Sequence, residues 1–229
     1  MAAPISSSQA MPLGKVLTKN DFSRLSQIER QTFFNSPAVN LVLRDRTFPS
    51  IPRSLLHAFP GFFRRKFQTE HSNLIMLPEE LCEHAVEYVL NYLMDCCSPK
   101  GFSPTKPAVS LSTDAAIYQV CQVFEKPAFS GTFFAAILEV PEQSLALSEL
   151  EEVLAFIGSK DRLYAMIAER VANKRFRAMP DDKEVLEEWL DAHPEFKEKV
   201  EKTREFHIGA EASRGVLGKK MSGWASILY

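Results

Sequence analysis

The stretch "AVNLVLRDRTFPSIPRSLLHAFPGFFRRKF", residues 38 to 67, constrains the fold more than any other part of the chain. "AVNLVL" is rich in β-branched residues, Arg44-Asp45-Arg46 makes a polar turn, and "TFPSI" returns. Residues 39 to 51 therefore read as a β-hairpin. Pro49 and Pro52 lack ladder donors, which confines the second strand to an edge or a short length. "RSLLHAF" then reads as a short helix, Pro60-Gly61 breaks it, and "FFRRKF" gives another turn or two. The phenylalanines of "FFRRKF" can face inward while Arg64, Arg65 and Lys66 stay hydrated.

Around this centre the apolar spacing predicts mostly helices. A helix from Asn20 or Asp21 carries Phe22, Leu25, Ile28 and Phe33 and stops before Pro37. "NLIML" is a short strand, and Pro78 is expected to open a helix bearing Leu81, Ala85, Tyr88, Val89 and Tyr92 on one face. Residues 98 to 109 form a Pro/Gly/Lys loop. Ser112 or Thr113 is expected to cap a helix that buries Ala116, Val120 and Val123, and "GTFFAAILEV" is another. The composition shifts near Pro141 to charged helices, with Ser148 and Glu151 in a capping-box pattern and Leu163, Ile167 and Val171 on one stripe. The chain divides into a disordered lead (1–19), a domain at 20–140, a helical extension at 141–207 and a tail at 208–229.

With 229 residues and a net charge of −2, the chain can bury a core, and its overall field does not favour nucleic acid. The first residues lack the pattern of a secretory signal, and no apolar run approaches the roughly 20 residues of a membrane helix. The reading is cytoplasmic or nuclear, not secreted. Cys82, Cys96, Cys97 and Cys121 form no CxxC pair and read as buried thiols. No P-loop, GxGxxG, HExxH or GxSxG is present, and the five histidines share no ligand spacing with acids. Glu79-Glu80 and Glu151-Glu152 are read as helix-start acids. The expectation is a chain without catalytic residues, metal, cofactor or small-molecule substrate.

The element order resembles a BTB/POZ domain over residues 20 to 140. Phe48 and Leu55 keep the family's seven-residue spacing, and Phe59-Pro60-Gly61-Phe62 falls where its serine-proline step belongs. "LIMLPEELCEHAVEYVLNYLM" and "VSLSTDAAIYQVCQVFEKPAF" resemble the strand, long helix and following helix of the family. Ala38, Ile51 and Phe59 replace its Asp, His and Ser, and Met94-Asp95-Cys96 replaces its Tyr-Thr-Gly. The replaced Asp counts against the charged co-repressor pocket of some members. The resemblance implies an α+β fold, a helical cluster flanked by a short β-sheet, followed by an all-α extension. It implies a non-catalytic module for protein–protein interaction and homodimerisation, like the stand-alone fungal-type members. The dimer surface it implies is Phe22, Leu25, Ile28 and Phe33 of the N-terminal helix, with Leu41 of the first strand. A second implication is a substrate adaptor for a cullin-type ubiquitin ligase. Gln68-Thr69-Glu70 occupies the place of the adaptors' hydrophobic-x-Glu motif, with Gln where the apolar residue belongs. A third is a transcription-associated nuclear scaffold, without zinc fingers of its own.

Overall fold

The computed structural model describes residues 24–57, 61–69, 72–97, 110–125, 127–139 and 146–203. These form an α+β structure in two compact units, which divide between Ile137 and Leu138.

In the first unit, helix α1 (Gln27–Thr32) runs into a 3₁₀ turn (Phe33–Asn35). The hairpin follows as β1 (Ala38–Leu43) and β2 (Arg46–Pro52). Next come helices α2 (Arg53–His57) and α3 (Phe62–Thr69), strand β3 (Leu74–Met76) and helices α4 (Glu83–Cys96) and α5 (Leu111–Val123). Helix α6 (Pro127–Glu139) ends across the division between the units. The sheet order is β2-β1-β3, antiparallel in the hairpin and parallel between β1 and β3. The proline-bearing β2 lies at an edge, as its missing donors require. Val39 faces Ile51 and Leu41 faces Phe48, so Pro49 and Ser50 together oppose Asn40 in a bulge. Ser50 takes φ 59° there, and its N–H donates to the Asn40 side chain at 3.0 Å. The bulge lets Phe48 and Ile51, three apart in sequence, both reach the core.

The core of this unit lies between the sheet and helices α2 to α6. Leu41, Leu43, Leu55, Leu56, Phe63, Ile75, Leu81 and Phe124 are fully buried. Each such side chain stabilises the fold by about 1.5–3 kcal/mol. Phe63 meets the Phe124 ring edge-on at 4.8 Å, which locks α3 to the end of α5. The Arg44 guanidinium donates to the carbonyls of Glu79 and Leu81 and ties the hairpin tip to the segment before α4.

The second unit holds α7 (Leu147–Phe156), α8 (Arg162–Arg177), α9 (Pro180–Ala192) and α10, residues 194 to 203. Leu163, Ile167 and Val171 are buried at helical spacing, as the stripe predicts, and Leu186, Leu190, Phe196 and Val200 join them. Pro180 takes the first helical position of α9, where no donor is lost. Arg175 is gripped from two helices: it binds both carboxylate oxygens of Glu187 and lies 3.9 Å from Glu201.

Several expected helix starts are displaced. The expected start of the first helix, Asn20 or Asp21, lies outside the described residues; Arg24 is helical, the helix is interrupted at Leu25 and Ser26, and α1 starts at Gln27, where Ser26 and Glu29 complete a reciprocal capping box. Pro78 sits in a turn, and its carbonyl accepts from Leu81 N–H, so α4 begins five residues later. Glu79 and Glu80 therefore precede the helix rather than start it. Ser110, not Ser112 or Thr113, caps α5 by accepting from Thr113 N–H. Ala116 and Val120 are buried in that helix, while Val123 is half-buried. Helix α7 begins at Leu147 without a side-chain cap, which places Ser148, Glu151 and Glu152 inside it. The expected lead, the loop at 98–109 and the tail from 208 lie outside the described residues.

Candidate interaction surface

The five residues expected at a dimer surface separate by environment. Phe22 lies outside the described residues. Leu41 is fully buried on the central strand, and Phe33 is 6% exposed. Both belong to the protomer's own core. Leu25 is half-buried, and its carbonyl accepts from Arg30 at 2.6 Å. Ile28 stands out at 71% exposure, and α1 has no buried residue at all.

The helix is nonetheless firmly placed. Glu29 accepts from the Ser26 backbone N–H and hydroxyl, both at 2.8 Å, and these bonds hold its carboxyl below the usual range. The Phe33 carbonyl accepts from the Ser54 hydroxyl at 2.7 Å, and Arg53 N–H donates to the Pro37 carbonyl at 2.9 Å. These bonds anchor the 3₁₀ turn to α2 while α1 projects its apolar residue outward. Phe34, 41% exposed, is the residue the helical stripe misses. The tighter 3₁₀ winding changes the phase after Thr32, turning Phe33 in and Phe34 out.

Chemistry is sparse elsewhere. Burial pushes the Cys97 and Cys121 thiols up to about 12, away from the reactive thiolate. Burial first, and then the Cys96 side chain, raises Tyr92 far above the ordinary phenol value. Burial, then the charges of Arg53 and Arg64, lowers the His57 imidazole. Among the described residues no group of three His, Cys, Asp or Glu side chains could hold a metal ion, and no helix is long and apolar enough to cross a membrane. Gln68 and Thr69 are exposed at the end of α3, and Glu70 lies outside the described residues.

Comparison with protein-family models, with curated proteins and with solved structures finds no match for this chain.

Proposed function

We propose that the chain is a non-catalytic interaction module built on a BTB/POZ-like plan, and that it self-associates through its N-terminal helix. The observation that carries this is α1 itself, held by specific bonds yet burying nothing, with Ile28 at 71% exposure. A helix this short is not self-sustaining in water, and apolar packing from a second surface supplies what the protomer does not. Support also comes from the element order, helix, hairpin, helical pair, strand, long helix and further helices, and from the mixed three-stranded sheet.

The adaptor reading has no comparable support, since the position its motif assigns to an apolar residue holds exposed Gln68.

The test is solution mass by light scattering over a concentration series, for the wild-type chain and Ile28→Glu. Substitution is cleaner than removing residues 1–35, because that deletion takes out Phe33 and the carbonyl that holds Ser54. A dimer that the substitution converts to monomer supports the proposal. Equal masses for the two proteins overturn it.

A further inference from the structure

The second unit leaves a group of large apolar side chains in solvent at one corner. Phe176 is 85% exposed, Met179 71% and Val185 58%. They stand in the last turn of α8, in the corner after it and in the second turn of α9. Apolar residues scattered singly need no explanation, whereas a group rimmed by charge marks a contact site. The rim here has one sign. Asp181, Asp182, Glu184 and Glu188 are exposed and have no ion pair among the described residues, and Lys183 is the only cation of α9. The helix dipole accounts for Asp181 and Asp182 in the first turn, but not for Glu184 and Glu188. The sequence beyond Glu211 has the complementary composition. Residues 212–229, "ASRGVLGKKMSGWASILY", carry Arg214, Lys219 and Lys220, no acid, and apolar residues that include Trp224, Ile227 and Leu228. Their point of departure is also close. Arg175, the neighbour of Phe176, lies 3.9 Å from Glu201, so α10 ends beside the last turn of α8. Residues 204–211 can then span up to roughly 30 Å, which brings the following segment within reach of the corner.

We propose that residues 212–229 dock back on the corner between α8 and α9 of the same chain. Their apolar side chains cover Phe176, Met179 and Val185, and Arg214, Lys219 and Lys220 set their charge against Glu184, Glu188 and the acids before them. The apolar contact supplies most of the stabilisation, and the charges fix the orientation. The covalent tie favours this occupant over a second copy or another protein. A segment held beside its site binds at an effective concentration set by the connection, and pays no cost of bringing two molecules together. This docking is independent of Ile28 and of self-association through α1.

The experiment uses the full chain and trypsin, with cleavage after Arg214, Lys219 and Lys220 followed by mass spectrometry. A docked segment is cut only when it opens, so the rate reports the open fraction. A synthetic peptide of residues 204–229 gives the undocked rate, and the wild-type chain is expected to be cut about tenfold more slowly. Phe176→Ser is expected to recover about that tenfold, because it removes the largest apolar contact. Glu184→Gln combined with Glu188→Gln is expected to speed cleavage about threefold. Leu74→Ser, at an exposed apolar residue of the first unit, is expected to change the rate by less than about twofold. If Phe176→Ser loses its folded circular dichroism, Met179→Ser makes the same comparison. Three results overturn the proposal: a wild-type chain cut as fast as the peptide, equal rates for Phe176→Ser and Leu74→Ser, or protection that falls on dilution, as docking between two copies requires.

Discussion

Replacing Gly61 with alanine separates two contributions to the junction between α3 and the end of α5. Gly61 has φ 84°, a conformation in which an L side chain costs about 1–2 kcal/mol. An added Cβ would also fall 1.3 Å from Glu125 Oε2. That carboxylate is the far end of a flexible side chain, so it swings away and gives up its ion pair with Arg65. The partners are 64% and 40% exposed, so the pair contributes only about 0–1 kcal/mol. The sum is about 1–3 kcal/mol, with backbone strain the larger share. Glu125 itself has φ 54°, so Glu125→Gly removes the carboxylate and relieves strain at its own position. In that background Gly61→Ala retains the backbone cost alone, about 1–2 kcal/mol. Gly131 gives a control of opposite sign. It lies within α6 with nothing within 4 Å of an added Cβ, so Gly131→Ala should stabilise by about 0.5–1 kcal/mol. Urea midpoints at unchanged m-value measure the four variants against the wild type. A Gly61→Ala cost below about 0.5 kcal/mol in either background refutes the strain argument, as does destabilisation by Gly131→Ala.

Other outcomes follow from the core and from titration. Leu55, fully buried, should lose about 2–5 kcal/mol on change to alanine, whereas Arg64→Ala should stay within about 0.5 kcal/mol, both read from urea curves. Half-buried Cys82 should react with a thiol reagent in the native protein, while Cys96, Cys97 and Cys121 react only after unfolding. Lowering of the His57 imidazole means that the unfolded chain takes up this proton first as pH falls. Its contribution to stability is complete above the ordinary histidine value, about 6.5, and is lost as pH falls through the lower folded value. The difference in stability between wild type and His57→Gln should change across that window, and a difference constant between about pH 5 and about pH 8 contradicts the assignment.

The hairpin was legible because its signals were local. Pro49 and Pro52 name an edge, and the turn at Arg44-Asp45 separates two β-rich runs. The pairing of Phe48 with Ile51 on one face was not, since it depends on a bulge stabilised by Asn40 from the other strand. Cap positions failed where several hydroxyls compete. Ser110, Ser112 and Thr113 are chemically equivalent candidates, and only the turn geometry selects the first. Pro78 suits a helix start and a turn alike, and here the turn is held by Arg44 from a distant hairpin. The apolar residues of the candidate surface were visible, but not which of them point outward. Phe33 and Ile28 look alike on a helical wheel. The bond from Ser54 to the Phe33 carbonyl and the change to 3₁₀ winding draw one inward and leave the other in solvent.

The central claim, self-association through α1, is tested most directly by the light-scattering mass of the chain with and without Ile28→Glu. The account predicts twice the 25.9 kDa chain mass for the wild type and the single-chain mass for the variant. A wild-type chain that stays at the single-chain mass at every concentration, or a variant that remains dimeric, contradicts it.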